Sequence, residues 1–185
     1  QNVQVRPLPT VALATLPAQC SNSAPLTLTG GSPAGGTYSG TGVSGGAFDP
    51  SVSGTGTFNI TYTYTDNNGC TNSAQRSITV NAAPVVSLGN DSTVCSSAVV
   101  QVNAGTGFVT YRWSNGATTQ SINVDSSGTG IGVATVWVTV TNAANCSAQD
   151  TLLITFDACA GITPGPAVVP GVYVFPNPTT EEFII

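Results

Sequence analysis

The sequence contains no lysine, no histidine and no methionine. Its cations are Arg6, Arg76 and Arg112, far apart along the chain. Charged residues are 6% of the total and the formal net charge is −5, whereas about 25% is ordinary for globular domains. A basic footprint for nucleic acid is therefore missing. Without histidine, the usual general base and a common zinc ligand are both unavailable, and none of the five cysteines forms a CxxC pair. No uninterrupted apolar run approaches the roughly 18 residues that a membrane span needs. The N-terminus lacks the basic start and apolar core of a signal peptide, so an export address is expected to have been removed or to lie outside this chain.

What is present favours burial. Hydrophobic residues make up 41%, too many for a disordered chain of low charge. Solubility falls to Ser, Thr, Asn and the backbone. The cysteines, at 20, 70, 95, 146 and 159, are widely spaced in a Ser/Thr/Gly-rich chain. That pattern predicts disulfides and an oxidising, extracellular setting.

An internal repeat organises the rest. Pro9 to Cys20 and Pro84 to Cys95 are both 11 residues, and Cys20 to Cys70 and Cys95 to Cys146 are 50 and 51. "FNITYTYT" precedes Cys70 as "ATVWVTVT" precedes Cys146, and "RSITV" and "LLITF" follow. Tyr38 and Trp113 each stand 18 residues after their first cysteine. Two copies result, 9–82 and 83–157. Alternation at Phe58, Ile60, Tyr62, Tyr64 and at Val136, Val138, Val140 has the period of half-buried strands. "DNNG" and "NAAN" fall where hairpin turns belong. No segment has helical periodicity. The fold expected is all-β: two tandem antiparallel sandwiches, with Tyr38 and Trp113 plugging their centres. Pairing Cys20–Cys70 and Cys95–Cys146 gives each copy one bridge, worth about 4 kcal/mol by loop-closure entropy, at a sheet edge or end. Cys159 is then left over, either free or bridged to another module or chain. Val3 and Val5 precede Pro9 as Ile78 and Val80 precede Pro84, so residues 1–8 read as the last strand and linker of a preceding copy. Residues 158–170, "ACAGITPGPAVVP", read as a semi-extended linker.

The copies resemble the immunoglobulin-like repeats of secreted Bacteroidota surface proteins. "VYVFPNPTTEEF", within 171–185, resembles the start of a type IX secretion C-terminal sorting domain, through Tyr173, Pro176, Asn177 and Pro178, with Glu181 where glycine is usual. The resemblance implies an extracellular or outer-surface protein. Its partners would be the secretion machinery and surface polysaccharide or other cell-surface proteins. It also makes Ser92 in "DST" and Thr151 in "DTL" candidate O-glycosylation sites.

Other motifs have plainer explanations. "GTGVSG", Gly40 to Gly45, and "GVSGG" around Ser44 match dinucleotide and nucleophile patterns in form only, since no helix and no histidine accompany them. No catalytic residue and no cofactor is assigned. The aspartates are scattered and fit turns; loop carbonyls with Asp66 or Asp91 come nearest to a weak calcium site. Tyr62, Tyr64, Tyr111, Trp113 and Trp137 fit core packing better than a sugar-stacking platform. The function expected is a non-catalytic structural or adhesive stalk. Two alternatives stand beside it: self-association into a filament or sheath by strand addition through "NVQV" and "VYVFPNP", and a non-catalytic appendage of a larger secreted enzyme.

Overall fold

The computed structural model describes residues 6–159. The first group of strands is β1 (Ala12–Leu13), β2 (Gln19–Cys20), β3 (Leu26–Thr27), β4 (Gly31–Ser32), β5 (Thr37–Ser39), β6 (Val43–Ser44), β7 (Ala47–Phe48), β8 (Gly56–Thr65) and β9 (Thr71–Asn81), with a one-turn helix α1 (Pro50–Ser53) before β8. The second is β10 (Ser92–Cys95), β11 (Val100–Asn103), β12 (Thr110–Trp113), β13 (Ser121–Val124), β14 (Gly132–Thr141) and β15 (Ser147–Asp157). Each group has its own buried core. The regular structure of the described residues is almost wholly β, as expected, in two sandwiches.

A long hairpin is the frame of each sandwich. The alternating apolar and Thr/Ser residues of β8 and β9 pair from Gly56↔Val80 to Thr65↔Thr71, and those of β14 and β15 from Gly132↔Phe156 to Thr141↔Ser147. Ile60, Tyr62, Ile78 and Val80 point into the first core, and Val136, Val138, Val140, Leu152, Ile154 and Phe156 into the second. On the outer face, Thr57 meets Thr79 at 3.3 Å and Thr65 meets Thr71 at 2.9 Å, cross-strand hydroxyl pairs that stabilise a sheet with few charges.

The larger sheets have the same order, β2-β9-β8-β5 and β10-β15-β14-β12. They are not wholly antiparallel. The short strand bearing the first cysteine runs parallel to the last long strand, with Cys20 opposite Asn81 and Cys95 opposite Asp157. The facing layers are β3-β7-β6 with β1-β4 in the first sandwich, and β11-β13 in the second.

Tyr38 and Trp113 occupy equivalent places, but only Trp113 is a central plug. It is 1% exposed, and its ring nitrogen donates to the Thr119 carbonyl at 2.7 Å. Tyr38 is half-buried and lies over Tyr62, ring centroids 4.8 Å apart. The cross-strand partner decides this. Trp113 faces Val138, whereas Tyr38 faces Tyr62. Tyr62, with Phe48, fills the first core, so Tyr38 is displaced outward. "GGSPAGG" makes room for Tyr62: a Cβ on Gly31 would sit 2.5 Å from its ring. Gly36 donates its N–H to the Tyr62 hydroxyl at 2.7 Å, and that hydroxyl donates to the Pro33 carbonyl.

The helix α1 is a feature the period-based reading missed. Its signals are local. Asp49 caps it by accepting from Ser51 N at 2.9 Å and Ser51 Oγ at 2.7 Å, and Pro50 supplies the first helical position.

Both tryptophans lie in the second sandwich, so fluorescence reports its unfolding alone. Trp113→Ala is expected to destabilise it by about 3–5 kcal/mol, read through Trp137 in urea. Tyr38→Ala is expected to cost less in the first sandwich, followed by circular dichroism, because its ring is only partly buried. Equal costs would contradict the difference in packing.

Candidate functional site at the joint between the sandwiches

The two strand registers put the cysteines of one repeat at opposite poles. Cys70 and Cys146 end the loops 66–70 and 142–146 at the tips of the long hairpins, the leading poles. Cys20 and Cys95 lie beside the far ends of β9 and β15, the trailing poles. Each of those strands has 11 residues, and ten steps of ~3.3 Å make about 33 Å. Disulfide geometry tolerates a Cα separation of only about 4.4–6.8 Å. Bridges Cys20–Cys70 and Cys95–Cys146, expected from spacing, are therefore ruled out by the fold.

Cys20 is bonded instead to Cys146, with Cα atoms 5.6 Å apart. The trailing pole of the first sandwich is thereby tied to the leading pole of the second. Cys95 is bonded to Cys159, Cα atoms 5.2 Å apart. Cys159, expected to be left over, lies two residues past β15 and closes the trailing pole of the second sandwich. Cys70 is the cysteine that remains free. The separations are 126 and 64 residues, which by loop-closure entropy correspond to about 5 and about 4 kcal/mol.

Hydrogen bonds surround the Cys20–Cys146 bridge. Asn22 of the first sandwich donates to the Ser147 carbonyl of the second at 2.9 Å, and Asn142 donates to the Ala82 carbonyl at 2.8 Å. Ala83 N donates to Ser21 Oγ at 3.0 Å, fixing the short connection. Cys146 is fully buried there, while Cys70 is half-buried at its own pole.

The leading-pole loops share one design. Asp66 Oδ1 accepts from Asn68 N at 2.8 Å and Cys70 N at 2.9 Å; Asn142 Oδ1 accepts from Ala144 N and Cys146 N, both at 3.0 Å. The fourth loop residue needs a left-handed backbone, taken by Gly69 at φ 82° and by Asn145 at φ 60°. The hydrogen bond from Cys70 N, with the bonds from Asn68, holds the Asp66 carboxyl below its ordinary pKa. Those from the Ser51 and Ser127 hydroxyls and N–H groups do the same for Asp49 and Asp125.

Other sequence-marked residues have structural roles. Gly45 and Gly46, at φ 56° and 79°, form the two-residue turn between β6 and β7, with Ser44 exposed on the strand. Two positive φ angles in that turn favour glycine. The carboxylates before the proposed glycan positions bind backbone: Asp91 accepts from Leu153 N at 2.9 Å, and Asp150 from Leu88 N at 2.7 Å. Thr151 is exposed and Ser92 half-buried. Among the described residues no three metal-ligating side chains converge. Tyr62 and Trp113 are buried, and Tyr64, Tyr111 and Trp137 are half-buried. Tyr173, Pro176, Asn177, Pro178 and the linker beyond Cys159 lie outside the described residues, as does the strand expected from Val3 and Val5.

No protein-family model matches the chain, and no curated protein matches it. Among solved structures it is similar to SGBP-B of the Bacteroides ovatus mixed-linkage glucan utilization locus, solved with a mixed-linkage heptasaccharide (16% identity, TM-score 0.27, 80% of this chain and 46% of that one). It is also similar to a Ca2+-stabilized adhesin by which an Antarctic bacterium binds ice (20%, TM-score 0.32, 81% and 50%). A third is the IG1 and IG2 pair of DIP-gamma (11%, TM-score 0.33, 82% and 97%). The chain spans about half the length of the first two.

A non-reducing peptide map is expected to give Cys20–Cys146 and Cys95–Cys159 peptides, with Cys70 alkylated. A Cys20–Cys70 peptide would refute this joint. A pH test separates Asp66 from its counterpart Asn142. A carboxyl whose folded pKa is depressed adds stability above its unfolded value, about 4, and loses it as pH falls through the folded value. Asp66→Asn should preserve the loop and be slightly less stable than the parent at pH 7. The gap should narrow as the pH falls below about 4, in urea unfolding followed by circular dichroism.

Proposed function

We propose that the chain is a non-catalytic, tension-carrying stalk module of an extracellular or outer-surface protein, built from the repeat units 9–82 and 83–157. The carrying observation is the overlap of the two disulfide loops: Cys95 lies inside the 20–146 loop and Cys159 outside it. Tension applied beyond residues 20 and 159 enters at Cys20, crosses to Cys146 and leaves through β15. Residues 21–145, most of both sandwiches, are off that path. Two disulfides also fit an oxidising exterior.

Several finer assignments belong to the same reading. The Tyr173 and Pro176–Pro178 motif is the export signal, read by a type IX-like system. Surface polysaccharide or neighbouring surface proteins are the attachment partners, and Ser92 and Thr151 are the glycan positions.

Single-molecule pulling on the full chain tests the mechanical role. The oxidised chain should extend far less than the reduced one. Reduction should release the 126-residue segment, which at up to ~3.6 Å per residue is roughly 450 Å. Equal extensions before and after reduction would defeat the proposal.

A further inference from the structure

Cys70 sits at a position whose equivalent is engaged one repeat further on. Cys146 ends the same five-residue loop, with the same side-chain cap and the same left-handed residue before the cysteine. The backbone bonds closing the two loops match as well, Asp66 N to the Cys70 carbonyl and Asn142 N to the Cys146 carbonyl, both 2.9 Å. The approaching chain crosses both hairpin tips: Ala82 meets Asn142, and Arg6, 76 residues earlier, meets Asn68 at 2.6 Å. The second repeat thus shows what such a cysteine binds, namely the trailing-pole cysteine of the sandwich before it. Both trailing-pole cysteines reach forward, Cys20 to Cys146 and Cys95 to Cys159.

We propose that Cys70 is the receiving half of an inter-repeat disulfide whose other half is the trailing-pole cysteine, equivalent to Cys20 and Cys95, of another repeat of this kind. This goes beyond the stalk reading, because it concerns how a further module is joined. Two routes balance. In the first, the Cys70 thiol and a free trailing-pole thiol lose two protons and two electrons to a small disulfide oxidant, which leaves as two thiols, and an S–S bond forms. In the second, the Cys70 thiolate attacks Cys95 Sγ of a second copy. The Cys95–Cys159 bond then breaks, and Cys159 leaves as the thiolate, with no net oxidant.

The test uses the full chain and Cys159→Ser, which frees Cys95, in a reduced and oxidised glutathione buffer. Cys159→Ser should form head-to-tail disulfide oligomers whose peptide map shows Cys95–Cys70. Adding Cys70→Ser should abolish them while leaving the circular dichroism unchanged. If the unmodified chain gives the same linkage, a second copy whose Cys95 is already closed is a competent source. If it stays monomeric while Cys159→Ser oligomerises, the source is a repeat whose trailing cysteine is open. Symmetric Cys95–Cys95 or Cys70–Cys70 dimers, glutathione adducts alone, or monomers throughout would overturn the proposal.

Discussion

The parallel pairing of two short strands with the last strand of each sandwich governs the rest of this structure. Gln19–Cys20 beside Val80–Asn81, and Ser92–Cys95 beside Ile154–Asp157, are small ladders. They nonetheless decide that a repeat's first cysteine lies at the end where the chain leaves. The long hairpin decides that its second lies at the end where the chain arrives. With about a strand length between them, the two cysteines of one repeat cannot meet; Cys20 bonds to Cys146 of the next sandwich, and Cys95 to Cys159 just past its own last strand. The covalent pattern follows from backbone register, and the cysteine side chains only complete it.

The sequence shows the hairpins and the repeat because both are written over ten or more residues. Alternation in 58–64 and 136–140, with a turn and a cysteine at fixed offsets, leaves little choice of element or face. The cysteine partners are a different matter. The deciding ladders are two and four residues long, too short to carry a readable period. Nothing local distinguishes parallel from antiparallel pairing there. Spacing alone favours the other cysteine of the same repeat, which is the wrong one in space.

The unequal burial of Tyr38 and Trp113 shows the same limit at the level of packing. The repeat offset makes them equivalent, and each reads as a plug. Which one fills the core depends on a residue across the sheet, Tyr62 in one repeat and Val138 in the other. Large beside small packs the second core, whereas large beside large sends one tyrosine outward. Gly31 and Gly36, legible only as turn residues, turn out to be the space that Tyr62 uses. The helix at Pro50, by contrast, is marked only by a local Asp-Pro-Ser start, since one turn has no period.

Scarcity of charge gives the joint its character. Three arginines cannot lace two sandwiches together, and Arg76 is already spent on the Leu13 carbonyl. The remaining means are amide side chains reaching across, as Asn22 and Asn142 do, and a covalent bond. Exposed hydrogen bonds alone contribute little net stability in water. A disulfide among them holds the amides at bonding distance without depending on salt or, across the neutral range, on pH. Cys159 shows that the same trailing position can be satisfied without a following hairpin. One cysteine two residues past the last strand occupies the place that Cys146 takes at the joint, so a single residue decides whether that pole is closed or open to a neighbour.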